Sequence, residues 1–355
     1  MAGLYIHIPF CRAKCAYCDF YSGPMQYPSP TEYMDAVLQE YEARRDEITT
    51  ESFATIYAGG GTPSMLPPEL FSPLISLADT GAEITIEANP EDVTEEWTDR
   101  ILSAGFNRVS MGVQSLIDEE LTAVGRRHTA AQALRAISVL RSHGISNISC
   151  DLIYGLPEQT LESWDYSLQT MLELDLPHLS AYLLSYEPGT RLTARLNTGK
   201  ISETQEDVIE RMYSSLCSLT RQAGMNHYEI SNFCKDGMHS RHNSSYWDFT
   251  PYLGLGPGAH SFDGRSRRFN PSRLKEYMIS PDKFTIQEDL SPHDEHNDRV
   301  ITALRTSRGI SPSFLNENEQ REAVRLLEQT ADGYFRIPES AWLMSNALME
   351  PFIRI

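Results

Sequence analysis

Long apolar runs are missing from this sequence. No stretch of 18 hydrophobic residues occurs, and no charged and apolar leader of a secretory signal precedes Tyr5. A helical membrane span is excluded, and a cytoplasmic protein is expected. Positive charge is also short: 30 Lys and Arg stand against 49 Asp and Glu, a net charge of −19. A nucleic-acid partner would be repelled by that balance. Six cysteines in 355 residues are too few for a secreted disulfide scaffold. Internal repeats and low-complexity tracts are absent. What is present, 41% hydrophobic and 22% charged residues, is ordinary for a globular chain that buries one large core and a small one.

Three of the cysteines, Cys11, Cys15 and Cys18, stand at C-x3-C-x2-C spacing directly after a short apolar run, Leu4–Ile8. Thiolates packed this closely on a loop can turn toward one centre. They suit an iron–sulfur cluster or zinc better than a disulfide, because three cannot pair evenly. The count favours a cluster. A structural zinc site is normally closed by four ligands, and no fourth Cys or His follows at finger spacing. A 4Fe-4S cluster with three thiolates keeps one iron open for a small chelating molecule. A zinc site or unengaged thiols are the alternatives. Cys150, Cys217 and Cys234 read as buried small apolar residues.

Along the chain, apolar runs at Leu4–Ile8, Thr55–Ala58, Glu83–Glu87, Arg108–Val113, Ile148–Tyr154, His178–Ser185 and Tyr228–Ser231 read as strands. Helical patterns at 31–48, 68–79, 94–104, 131–143, 161–174 and 203–223 separate them. Ser29–Glu32 and Ser202–Gln205 have capping-box spacing, and Gly81, Gly105, Gly144 and Gly224 read as helix stops. Repeated strand–helix units imply parallel crossovers, in an open doubly wound sheet or in a barrel. Residues 234–295 are rich in Gly, Ser, Asn, Pro and aromatics and read as irregular. Beyond them, Asn297–Arg305, Glu319–Gln329 and a short strand at 333–337 suggest a small mainly helical unit. The expected division is 1–233, 234–295 and 296–355.

The cysteine stretch, Tyr5-Ile-His-Ile-Pro-Phe-Cys11 with Tyr17-Cys18-Asp-Phe20, resembles the cluster motif of the radical S-adenosylmethionine (SAM) superfamily, and within it the oxygen-independent coproporphyrinogen III oxidase-like family. The resemblance covers nearly the whole chain. It implies a partial (β/α)6 barrel, open on one side, and a winged-helix-like C-terminal domain. It also implies a 4Fe-4S cluster whose open iron chelates the amino and carboxylate groups of SAM, with an electron from the cluster cleaving SAM to a 5'-deoxyadenosyl radical.

In parallel α/β folds, function collects at the C-terminal ends of strands. Here those ends carry the cysteine loop, Gly59-Gly60-Gly61-Thr62-Pro63, Glu87-Ala-Asn89, Gln114-Ser115, Asp151 with Tyr154-Gly155, and Tyr182 with Ser185. Triple glycine permits close backbone approach and offers bare amide donors, although a tight strand–helix turn would use it equally. By resemblance, Tyr5, Gly60 and Glu87 contact the cluster-bound SAM, and Tyr17 stacks near its adenine. Gly61, Thr62, Gln114, Arg126 and Asp151 match positions around a second SAM in the dehydrogenase. Glu87 and Asp151 could instead cap helices or form salt bridges.

A second constellation is Arg241-His242-Asn243-Ser-Ser-Tyr246-Trp247, followed by Gly254–His260. Imidazole is a common axial ligand of heme iron, and Tyr and Trp offer flat apolar faces to a porphyrin. A structural turn packing two aromatics would look the same. The match to the His-Asn-x-x-Tyr-Trp heme motif in the heme-chaperone branch of the family favours heme binding. It makes His242 the first candidate ligand, with Asn243, Tyr246 and Trp247 around it, and His260 the second. Two departures from the dehydrogenase also favour that branch. Phe20 stands where that enzyme has an extra cysteine, and only a few residues precede Tyr5. The expected protein binds heme and delivers it to heme proteins of the respiratory chain, without coproporphyrinogen III dehydrogenase activity and as a cluster-dependent homodimer. Oxidative decarboxylation of coproporphyrinogen III is the alternative.

Overall fold

The computed structural model describes residues 2–50 and 52–354. Six strands pair in chain order, each parallel to the next: β1 Gly3–Ile8, β2 Phe53–Gly60, β3 Ala78–Ala88, β4 Arg108–Gln114, β5 Asn147–Tyr154 and β6 His178–Leu183. Alternation sorts their side chains onto two faces. Leu4, Ile6, Ile8, Ile56, Ile86, Val109, Met111, Ile148, Cys150 and Leu152 form the buried apolar face. The other face carries Tyr57, Glu87, Arg108, Ser110, Gln114, Ser149, Asp151, Ser180 and Tyr182, and these line one interior cavity. Helices Pro30–Arg44, Glu95–Ala104, Ala130–Ser142, Leu161–Glu173 and Glu206–Gln222 follow the pattern read from sequence. Six parallel strands around a polar interior are the expected partial (β/α)6 barrel.

The sheet continues past both ends of this parallel core instead of closing. A hairpin of β7 Asn226–Glu229 and β8 Asn232–Cys234 adds antiparallel to β6. The run Tyr228–Ser231, expected as one strand, therefore spans the turn between two. On the other side, β9 Tyr252–Leu255 lies parallel to β1, followed by antiparallel β10 His260–Phe262, β11 Ser266–Phe269 and β12 Ile286–Asp289. The stretch read as irregular thus holds four strands of three or four residues, too short for alternation to register. Near the C-terminus, helices Pro292–Leu304 and Glu317–Leu326 accompany a small ladder of β13 Glu328–Gln329 and β14 Phe335–Arg336.

Local signals failed where another contact competed. Ser29 closes its capping box on Glu32. Ser202 does not: Thr204 donates to the Leu156 carbonyl at 3.2 Å, and the helix begins only at Glu206. The helix expected over 68–79 shrinks to Ser72–Ile75 after a 3-10 turn at Pro68–Phe71, since prolines at 67, 68 and 73 remove three donors. Gly81 consequently sits in an exposed bend of β3, at φ 79°, and stops no helix.

Candidate functional site

The cysteine loop leaves the C-terminal end of β1 and is fastened from three sides. Cys11 N–H donates to the Gly23 carbonyl at 2.9 Å, Ala16 N–H to Val124 at 2.8 Å, and Leu192 N–H to Ala16 at 2.8 Å. Arg12 and Ser64 both donate to the buried carboxylate of Asp92, which ties the cysteine loop to the glycine loop. Held in this way, Cys11, Cys15 and Cys18 are free, partly exposed thiols on the rim of one cavity of about 470 Å³. Thr62 Oγ1 donates to Cys11 Sγ at 3.4 Å, and Arg126 Nη1 to Cys15 Sγ at 3.5 Å.

The glycine loop is as close to the cysteine loop as backbone allows. A Cβ on Gly61 would lie 2.5 Å from the Phe10 carbonyl oxygen, and one on Gly60 (φ 105°) would lie 2.6 Å from the His7 ring. Side chains are excluded there by contact, whatever the turn type. Gly60 N–H donates to Glu87 Oε2 at 3.0 Å, and the Tyr57 hydroxyl to Glu87 Oε1 at 2.8 Å. Burial, reinforced by Asp151, nevertheless pushes Glu87 up to about 7. Burial likewise raises Asp151 to about 6, although Ser180, Arg108 and Arg126 oppose it.

The residues present fit a cluster and a chelated SAM. Three thiols on one rim match three-cysteine ligation. Gln114 Oε1 and Asp151 Oδ1 are buried without partners and face the cavity. Acceptors and raised carboxyls in one chamber suit a ligand carrying amine and sulfonium charge. Tyr17, Gly60, Gly61, Thr62, Glu87, Gln114, Arg126 and Asp151 all line the chamber. Tyr5 does not; its hydroxyl meets His7 Nδ1 at 3.0 Å behind the wall.

The second constellation forms a seven-residue helix, Arg241–Trp247, capped by Ser240. The amides of Arg241 and His242 donate to the Glu83 carboxylate of β3 at 3.2 and 3.1 Å, an anion at the positive end of the helix. Asn243 reaches the chamber and forms part of its wall. His242 is completely buried. Its Nδ1 lies 2.8 Å from Thr55 Oγ1 and its Nε2 2.9 Å from the Tyr246 hydroxyl, so both nitrogens are engaged. Its ring stacks on Tyr57 at 5.1 Å, and burial lowers its pKa to about 3. Tyr246 packs edge-on against Tyr252, and Trp247 faces a separate groove. His260, on β10, is exposed beside Phe269. The motif is thus gathered on one helix, but His242 faces neither the chamber nor solvent.

The Radical SAM superfamily profile matches residues 5–171. Heme chaperone HemW of Bacillus subtilis is 34% identical, covering 90% of this chain and 88% of its own. Heme chaperone HemW of Escherichia coli is 33% identical over 99% and 97% of the two chains. The chain belongs to the HemW family of radical SAM proteins. Coproporphyrinogen III oxidase (HemN) from Escherichia coli superposes with a TM-score of 0.81 over 99% of this chain and 89% of its own. Identity there is 23%, so HemN shares the fold.

Several chamber residues of this HemW-family chain were not singled out in the sequence. Arg108, Ser110, Ser149 and Ser180 line it from β4, β5 and β6. Their signal was present as polar residues at every second position of otherwise apolar strands, which marks an inner barrel face. Among the described residues, no helix is long and apolar enough to cross a membrane.

Proposed function

We propose that the protein is a heme chaperone: it binds heme and delivers it to heme proteins, and carries a 4Fe-4S cluster that coordinates SAM. One observation carries the reading. The His242–Trp247 helix is built into the wall of the chamber that holds the three thiols, through Asn243 and through the stacking of His242 on Tyr57. Cys11, Cys15 and Cys18 would hold the cluster. The Gly60 amide, Glu87 and Tyr17 would meet its SAM, and Gly61, Thr62, Gln114, Arg126 and Asp151, which line the same chamber, are the residues that would meet a second. When bound, the cluster supplies an open iron and an electron. The chain's own residues exclude water, orient the ligand and balance its charge.

His242 is the proposed heme-iron ligand, neutral and therefore able to ligate without releasing a proton. The helix must turn outward to present it, giving up the bond to Thr55 and the two amide bonds to Glu83, while Tyr246 moves with it. Phe20, 63% exposed, stands where the dehydrogenase has an extra cysteine, and a phenylalanine offers no thiol there. We place the barrel at 1–233, heme capture at 234–295 and a small unit at 296–355. Recipients in the respiratory chain, a cluster-dependent dimer and a reducing cytoplasmic setting belong to the same reading.

The test is anaerobic incubation of the cluster-loaded protein with SAM, a reductant and coproporphyrinogen III, followed by mass spectrometry, with heme uptake measured in parallel. An intact tetrapyrrole and heme uptake that is lost in His242→Ala support the proposal. Decarboxylated product would hand the protein to the dehydrogenase reading.

A further inference from the structure

A second cavity, of about 170 Å³, opens where the C-terminal end of the helix Arg241–Trp247 meets the helix Pro292–Leu304 and the chain beyond it. Its walls are aromatic: Trp247, Phe249, Phe314 and Tyr334. It also holds two cations. The Arg299 guanidinium lies 4.4 Å from the Phe249 ring centre and 5.1 Å from that of Phe314, and Arg308 lies 5.3 Å from that of Tyr334. Two carboxylates face these cations. Arg299 donates to Glu295 at 3.0 and 3.1 Å, and Asp248 is 3.9 Å from Arg308. Arg308 and Asp248 are 70% and 59% exposed, and Glu295 is 53% exposed. The Arg308–Asp248 pair, solvated on both sides, contributes little and leaves Arg308 free for a better-placed carboxylate, whereas Arg299, 31% exposed between its two rings, would exchange Glu295 for one. Trp247 lines the groove, and its indole N–H is buried without an acceptor.

Flat apolar faces and two guanidiniums describe a site for a planar ligand with two carboxylates on one edge. We propose that this groove holds the propionate edge of a tetrapyrrole, with Arg299 and Arg308 each taking one carboxylate. The proposal rests on the heme-chaperone reading and deepens it, because the carboxylate site is supplied by residues near the C-terminus and not by the barrel. The groove is smaller than a heme, so the macrocycle projects from it. That leaves an open face from which a recipient can remove the ligand. Trp247 lies five residues beyond His242 on one helix, so docking of the carboxylate edge brings the macrocycle beside the helix that carries the iron ligand.

The experiment titrates ferric heme and ferric mesoheme dimethyl ester, which lacks the carboxylate charges, into cluster-loaded protein. Wild type is compared with Arg299→Gln and Arg308→Gln by Soret difference absorbance. Each substitution is expected to raise the Kd for heme roughly tenfold, the size of a lost charge-assisted pair, and to leave the ester's Kd unchanged. Equal losses for both ligands, or no loss for heme, would overturn the carboxylate site while wild-type uptake leaves the chaperone reading intact. Wild-type protein that takes up neither ligand removes both. Should Arg299→Gln fail to fold because its guanidinium is packed between two rings, the largely exposed Arg308 gives the same comparison alone.

Discussion

Thr55 Oγ1 on β2 lies 2.8 Å from His242 Nδ1, and this contact holds the motif histidine inside the protein. A fully buried imidazole with both nitrogens engaged binds no metal where it stands. Its availability is therefore a population of an opened helix, and apparent heme affinity is lowered by the closed fraction. Thr55→Val removes the hydrogen bond at nearly constant volume. With a net loss of about 1 kcal/mol from the closed state, heme affinity should rise by roughly fivefold. Equilibrium heme titration checks this; an unchanged or weaker affinity would mean that His242 does not leave its pocket to bind.

The chamber carboxyls make SAM binding depend on pH. Burial lifts Glu87 to about 7 and Asp151 to about 6, so below those values the chamber loses negative charge that would attract a sulfonium. SAM affinity should strengthen as pH rises from 6 to 7, and Glu87→Gln should flatten that rise. Stability runs the other way. An unfolded Glu ionises near 4.5 while folded Glu87 keeps its proton to about 7, so the ligand-free fold loses stability as pH rises across that window. Because Glu87 also meets the open chamber, the gain for Glu87→Gln at pH 8 should be about 1 kcal/mol. Equilibrium dialysis of SAM and urea midpoints at several pH values test the two halves separately.

Thr62 and Arg126 each donate to a cysteine sulfur, and hydrogen bonds to cluster sulfurs raise the reduction potential by stabilising the more negative state. Thr62→Val should lower the midpoint potential of the reconstituted cluster by some tens of millivolts, a modest share of the range that protein surroundings set. Arg126→Gln, which also loses a full charge, should lower it further. Spectroscopic redox titration decides; potentials equal to wild type would assign both residues to ligand binding alone.

The chemistry was more legible in the sequence than the way it is guarded. Cys11, Cys15 and Cys18 act through local spacing, and a loop of eight residues brings them together whatever the rest of the chain does. The six parallel strands were legible because alternation with helices repeats over nearly 200 residues. Two things escaped. Strands β9–β12 owe their existence to pairing across the sheet with β1 and with one another, and so small a strand leaves no periodic trace. The burial of His242 depends on Thr55, Tyr57 and Glu83, which lie more than 150 positions away, and a motif read along the chain contains none of these partners.

The same added strands make the site depend on a carboxylate far from it. Glu40, on the helix Pro30–Arg44, is fully buried and forms an ion pair with Arg44. It also accepts from Gly256 N–H at 2.8 Å, Asn270 Nδ2 at 2.7 Å and the Tyr277 hydroxyl at 2.8 Å. Arg44 in turn donates to the Gly254 carbonyl and to Ser261. These bonds hold the chain around β9 and β10 against the barrel, and only four residues separate β9 from the helix Arg241–Trp247. Glu40→Ala leaves the Arg44 guanidinium with the carboxylate of Glu47 alone and strips the buried donors of Gly256, Asn270 and Tyr277 of this acceptor, a loss of about 3 kcal/mol, the low end for a broken buried pair. Thermal and urea unfolding should record it. Since the helix is held from this side, the variant should also lose the ordered burial of His242 before the cysteine loop is disturbed. Hydrogen exchange would then show the amides of 241–247 exposed while those at Cys11 and Ala16 stay protected. Loss of protection in both segments together would mean that the added strands and the barrel unfold as one unit.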